Sequence, residues 1–376
     1  MKRILLIHLG AYGDCVMATA IARQIKSDYP GCHLTWLIAS RYAAVIKSNP
    51  FVDASWEFEL ATGESLVEKG WYRCKTEANS RLAAGDFDII FNTQIYPDNV
   101  ANFDGTTRSS TFRNYPHPIT VPVTPVIQLL QEEIAHVAHF ADTNRLLHYK
   151  HVILLECSPS SGQSFLTVEK GLNLAQRLVE AKLDSVVILS THLPFESPHK
   201  RIISGACLSY RENAALSHYC TFLVGCSSGI TWITTSDAGK RLNTVQFLSC
   251  VIGGGFASVA YDFAFWKFPT DHIIENTTTD PEMMFAVINQ ALDNFPLARN
   301  CYHQTLRPRF WGWLLFIDYR RGWRGILTFY RPLFCFIRRN GIRLDDVFDV
   351  ASFAQVFCAF WKQFICRSPS STEDIA

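Results

Sequence analysis

Two short stretches hold the residues whose types and spacing suit chemistry. In "ILLIHLGAYGDCVMAT", Ile4–Thr19, an apolar run ends near Leu9, and Gly10, Gly13 and Asp14 follow before an apolar helical pattern begins. Glycines at such a point let the backbone turn tightly and approach a ligand. An aspartate there has two readings. It is a cap or first-turn acid that satisfies free amides and the helix dipole, or it is a general base facing a cleft, where partial desolvation raises its proton affinity. In "TFLVGCSSGITW", Thr221–Trp232, a buried strand runs into Gly225 and then Ser227-Ser228-Gly229 ahead of a helix. Helix-terminal amides beside two hydroxyls can cradle a diphosphate without a metal; an ordinary serine cap with a turn glycine is the alternative. "ECSPSSGQSF", Glu156–Phe165, places Ser158 and Ser160 as a second polar wall of the same pocket.

Other chemistries lack their residues. The glycine pattern is Gly10-x-x-Gly13 rather than GxGxxG, and the second strand, "TWLIAS", ends without an acid, so a nicotinamide enzyme is disfavoured. No His/Cys/Asp cluster has metal-ligand spacing, and no paired acids close a strand near the second stretch, so neither a metal nor a cofactor is expected. The 12 cysteines are scattered singly without a CxxC pair, which reads as a reduced, cytosolic thiol set. A net charge of +1 argues against a nucleic-acid binder with a basic surface.

Both stretches need elements that hold them. Arg3–His8 reads as a strand, Cys15–Tyr29 as a helix stopped at Pro30-Gly31, His33–Ile38 as a second strand, Arg41–Asn49 as a short helix and Asp88–Asn92 as a buried strand. Asp98–Pro125, rich in Asn, Thr, Pro and Arg, reads as a long loop, followed by a helix over "VIQLLQEEIAHVAHFA". The alternation then restarts: strand His151–Glu156, helix Val168–Ala181, strand Ser185–Ser190, helix Glu212–His218, strands Thr221–Val224 and Val245–Leu248, and a helix over Asp280–Leu292 capped by Asp280-Pro281. Strand–helix alternation with continuously apolar strands means parallel sheets covered on both faces. A length of 376 residues suits two such halves. In open parallel sheets ligands sit beyond the carboxyl ends of the strands, which is where both stretches fall. The expected division is a first α/β domain over residues 1–149, a second over 150–298 and a helical extension over 299–376.

The chain resembles glycosyltransferase family 9, the heptosyltransferase family of the GT-B fold. The resemblance rests on Leu9-Gly10-Ala11-Tyr12-Gly13-Asp14, the Pro30-Gly31 turn, Thr35–Ile38, "NPFVD" at Asn49–Asp53, and a second block at Ala215–Trp232. It spans roughly residues 1 to 295. It implies two Rossmann-like parallel-sheet domains facing a cleft and an inverting, metal-independent sugar transfer. The donor is a nucleotide-diphospho-sugar such as ADP-heptose, and the acceptor a lipopolysaccharide core, another glycan or a lipid-linked saccharide. Asp14 is then the catalytic base in a cleft loop with Gly10, Tyr12 and Gly13. Ser227, Ser228, Gly229, Thr231, Ser158 and Ser160 line the donor side. This sequence departs from the family where Ser227 replaces an aspartate, Trp232 replaces a histidine, and no lysine stands near "ECSPSSGQSF". Its Ser-Gly-x-Thr-Trp ending is similar to that of autotransporter heptosyltransferases. A non-catalytic sugar- or nucleotide-binding relative, an autotransporter-type protein heptosyltransferase and a sugar-nucleotide epimerase are the competing readings.

The tail has a different character. Between Arg307 and Arg343 it carries nine arginines and one acid, Asp318, among Trp311, Trp313 and Trp323. One reading is a set of helices folded back on the first half; the other is a surface that lies on anionic lipid, with aromatic rings and cations at the headgroup layer. The expected location is the cytoplasm, with peripheral contact at the inner face of the membrane. No apolar run reaches the length of a membrane span.

Overall fold

A computed structural model gives the architecture. It describes residues 1–61, 69–104, 106–157, 159, 163–191, 194–197, 199–249, 257–308, 310, 333–334, 336–342 and 354. The first half comprises β1 (Arg3–Ile7), α1 (Tyr12–Asp28), β2 (His33–Ala39), β3 (Ala54–Phe58), α2 (Lys69–Ala83), β4 (Ile89–Asn92), α3 (Thr107–Arg113) and α4 (Gln131–Thr143). The second comprises β5 (His151–Glu156), α5 (Val168–Ala181), β6 (Ser185–Ser190), β7 (Ile202–Ser204), α6 (Glu212–Leu216), β8 (Phe222–Gly225), α7 (Gly229–Thr234), β9 (Asn243–Phe247), α8 (Val259–Phe265), β10 (Ile273–Asn276), α9 (Pro281–Asp293) and α10 (Phe295–Tyr302).

Among the described residues two sheets form, ordered β3-β2-β1-β4 and β10-β9-β8-β5-β6-β7. Every strand pair in them is parallel. Ile4–Ile7 of β1 and all of β5 are buried, because helices cover both faces, and each buried Leu or Ile contributes about 1.5–3 kcal/mol. Both strands lie centrally in their sheets, as the apolar runs implied.

Some elements differ from expectation. The segment expected as one loop, Asp98–Pro125, contains α3, whose residues Arg108–Phe112 are buried; its polar composition hid a helix that tertiary contacts stabilise. β3, α2, β7, α8 and β10 were not anticipated, their patterns being short or of mixed polarity. α4, from the expected first half, packs Val137, Phe140 and Ala141 with Leu154, Ile188 and Leu216 of the second, so hydrophobic core crosses the expected boundary near Tyr149. In the tail, Arg339 Nη1 donates to Asp104 Oδ2 at 2.5 Å, and Asn340 Nδ2 donates to the Asp104 carbonyl. The Tyr261 hydroxyl of α8 donates to Asn340 Oδ1 at 2.7 Å. That piece of the tail folds back on the body; most of the arginine- and tryptophan-rich stretch lies outside the described residues.

Candidate active site

The loop between β1 and α1 is held from beneath. Gln94, just past β4, accepts from the Leu9 amide at 3.0 Å and donates to the Gly10 carbonyl at 3.1 Å. A Cβ on Gly10 would lie 2.3 Å from the Tyr42 ring, so only glycine lets the chain pass. Tyr12 donates to the Arg41 carbonyl and packs at 4.3 Å between ring centroids on Tyr210 of the second half.

Asp14 is the third residue of α1. Its Oδ2 accepts from the Ala11 amide at 3.2 Å, so it does cap the helix start. It is also only partly accessible. Burial pushes its carboxyl up to about 6, and the Ala11 hydrogen bond opposes this only in part. The two readings of this aspartate are therefore compatible on one side chain. His8, just upstream, is no rival base: burial holds its imidazole down to about 3, and Nδ1 lies 3.1 Å from Thr93 Oγ1.

The facing loop runs from β8 into α7. Gly13 and Trp232 meet so closely that a Cβ on Gly13 would be 2.8 Å from the indole. A Cβ on Gly229 would be 2.9 Å from the Tyr210 ring and 3.4 Å from Tyr12 Cβ. The cleft loop Gly10–Asp14 and the stretch Ser227–Trp232 are thus brought into direct contact, although more than 200 residues separate them.

The polar groups of the second loop are used differently from expectation. Glu156, at the end of β5 and buried, accepts from the amides of Cys226, Ile230 and Thr231 at 2.9, 2.8 and 3.3 Å, with Ser228 more distant at 3.4 Å. It also accepts from Thr231 Oγ1 at 2.6 Å. An internal carboxylate, rather than a ligand, satisfies most of the amides at the start of α7, because a strand-end acid completes the helix dipole within the fold. The Thr231 hydroxyl is committed to that network. Ser227 adopts a left-handed backbone (φ 51°), donates its amide to Gln246 Oε1 at 2.7 Å, and keeps a buried hydroxyl with no partner among the described residues. Ser228 is half-buried. Ser158 and Ser160 lie outside the described residues. Glu156 and Gln246 escaped the sequence reading, although Glu156 stands at a strand end, as Asp14 does just past β1.

Beside the indole lies a buried cross-half pair. Arg108 of α3 approaches Asp262 of α8, Nε to Oδ2 at 3.1 Å, with side chains 1% and 8% exposed. Burial lowers the guanidinium's proton affinity and pushes the Asp262 carboxyl up to about 6, each opposing the partner's pull. The guanidinium stands 5.1 Å from the Trp232 ring. Among the described residues no three His, Cys, Asp or Glu side chains are grouped to hold a metal ion.

Two parallel sheets, each covered by helices, meet at the carboxyl ends of their central strands with one polar loop from each at the junction. The fold is GT-B. A glycosyl transferase family 9 protein from Veillonella parvula shares it, 14% identical, with a TM-score of 0.52 over 77% of this chain and 97% of that one. A putative UDP-N-acetylglucosamine 2-epimerase from Listeria monocytogenes, 13% identical, has a TM-score of 0.50 over 82% of this chain and 92% of that one. An ADP-heptose heptosyltransferase II from E. coli, 13% identical, has a TM-score of 0.48 over 78% and 99%. No protein-family model matches the chain, and no curated protein matches it by sequence.

Proposed function

We propose that this chain is an inverting glycosyltransferase that moves a sugar, heptose or a related one, from a nucleotide-diphospho-sugar to a glycan or lipid-linked acceptor. The observation that carries the reading is the Asp14 carboxylate: it stands in the first turn of α1, where the two halves meet, with its proton affinity raised to about 6. A base of that strength is ionised at neutral pH and still able to take a proton. Asp14 accepts the hydroxyl proton as the acceptor oxygen bonds to the anomeric carbon. The bond from that carbon to the diphosphate breaks on the opposite face, and the nucleoside diphosphate leaves with the electron pair. In this reading the first half holds the acceptor, and the hydroxyls of Ser227 and Ser228, with the Gly229 backbone, meet the donor. Metal independence belongs to the same proposal, as does contact of the arginine-rich tail with anionic membrane.

The test incubates purified full-length protein with a panel of nucleotide-diphospho-sugars and extracted surface glycans, with and without chelator. Acceptor-dependent release of nucleoside diphosphate is expected, unchanged by chelator and reduced roughly 10²- to 10⁴-fold in Asp14→Asn. Parent-like turnover in that variant returns Asp14 to its capping role. An altered free nucleotide sugar formed without acceptor identifies an epimerase, and donor binding without turnover a non-catalytic relative.

A further inference from the structure

The two stretches expected to line the donor carry no cation of their own. Neither Cys226–Thr235 nor Glu156–Phe165 contains a lysine, arginine or histidine. The Cys226, Ile230 and Thr231 amides donate to Glu156, which itself brings a carboxylate close. A diphosphate entering such a dry site needs compensating positive charge from elsewhere.

Two arginines are buried at the seam between the halves, and they differ sharply. Arg211, 2% exposed, uses its whole fork: Nε and Nη2 donate to Glu133, Nη1 to the carbonyls of Ala44 and Lys47, and Nη2 also to that of Gln128. It is a finished structural tie. Arg108, 1% exposed, has none of this. Its Nε lies 3.1 Å from Asp262 without hydrogen-bond alignment, and Nη1 and Nη2 reach no acceptor among the described residues. A buried guanidinium with its planar fork unused is costly for the fold, which points to a role other than architecture. Arg108 and Ser227 border the same indole: the guanidinium packs beside Trp232, whose Nε1 donates to the Ser227 carbonyl at 3.2 Å. The Ser227 hydroxyl is likewise buried and unpartnered among the described residues.

We propose that Arg108, reaching from α3 in the first half to the indole of Trp232 in the second, is the cation that receives the donor's diphosphate. This rests on the glycosyltransferase reading and names the group that binds the leaving anion. The guanidinium fork matches two phosphate oxygens, and the ligand displaces Asp262 from Nε as the seam parts to admit it. Arg108 thereby couples donor binding to the contact between the halves, and Asp262 competes with the donor for the same cation.

Calorimetry on the full-length protein tests this with ADP, GDP, UDP and CDP, the matching nucleosides, and inorganic phosphate. For the preferred base, diphosphate binding that exceeds nucleoside binding is expected. Replacing the pair together, Arg108→Met with Asp262→Leu, avoids stranding a charge and should weaken the diphosphate about 10- to 100-fold while leaving the nucleoside unchanged. Asp262→Asn removes the competitor and should tighten the diphosphate, an effect that a purely structural pair does not produce. Parent-like diphosphate affinity in a folded double variant overturns the proposal, as does a parent protein that binds diphosphate no better than nucleoside. Should the double variant fail to fold, Asp262→Asn decides: no gain in affinity overturns it. Binding of inorganic phosphate alone, equally sensitive to Arg108, identifies a free-phosphate site and also overturns it. Diphosphate binding that depends on Arg108 in a protein that transfers no sugar leaves this assignment standing and rejects the transferase reading alone.

Discussion

Asp14 accepts the Ala11 amide and holds a proton tightly, and these two roles separate under substitution. Asparagine keeps an acceptor for the amide, so Asp14→Asn should cost less than about 1 kcal/mol of stability while removing the base. The pH dependence has a definite sign. Transfer needs the ionised carboxylate, so kcat/KM should rise as pH passes through about 6, and that limb should vanish in the variant. For stability the direction reverses. A carboxyl raised in the folded state binds its proton more tightly there, so its contribution is full below about 4 and lost as pH climbs through about 6. Thermal melts of Asp14→Asn should therefore gain on the parent between pH 4 and pH 7. On the facing loop, Gly229→Val drives a branched side chain into Tyr210. It should weaken donor affinity more than Ser228→Ala does, and should lower the melting temperature, which Ser228→Ala should leave nearly unchanged.

At the scale of elements, two short helices of the second half begin on a carboxylate contributed by a strand. Glu156 of β5 serves α7. Glu275 of β10 serves α8, accepting from Ser258 Oγ at 2.6 Å and the Ala260 amide at 2.9 Å. Helices of 6 and 7 residues are too short to persist alone, so these acids tie them to the sheet. Glu156→Ala strands several buried donors and should lose about 3 kcal/mol or more in chemical denaturation. Burial pushes the Glu275 carboxyl up to about 7 against those hydrogen bonds. Its stabilising contribution is complete below about 4.5 and is lost as pH rises through about 7. Glu275→Gln, which cannot ionise, should therefore gain stability relative to the parent on going from pH 5 to pH 8, read as the shift in denaturation midpoint.

At the scale of the whole molecule, the halves are joined by the helices between the sheets and by a tail that returns to Asp104. Arg339, committed to that contact, is a structural cation. The arginines proposed for lipid contact are those of the stretch around Arg320, Arg321, Arg324 and Arg331. Sedimentation with anionic vesicles should pellet the full-length chain at low salt and release it at high salt, since exposed charges are screened within about 8–10 Å at physiological ionic strength. Exchanging those four arginines for glutamine should abolish pelleting. A parent protein that stays in the supernatant at low salt makes the tail purely structural. Among the described residues no helix is long and apolar enough to cross a membrane.

The local patterns of this chain carried a good part of its architecture. Apolar strands ending in Gly10-Asp14 and Gly225-Ser227 were legible because a strand buried on both faces has no polar positions to confuse it, and a turn crowded by neighbouring side chains leaves glycine as its trace. Asp14 could be singled out for the same reason. What remained hidden depends on separation along the chain. α3 is polar in sequence, and its burial comes from residues far away that cover it. That Glu156 occupies the amides beside Ser228 follows from the pairing of β5 with β8, a register that no local window contains. That Arg108 meets Trp232 and Asp262 follows from the docking of one half on the other. Short-range periodicity determined the elements and the place of the loops; which charge neutralises which, across the cleft and at the helix starts, was decided only by tertiary packing, because electrostatic partners are set by distance in space and not in sequence.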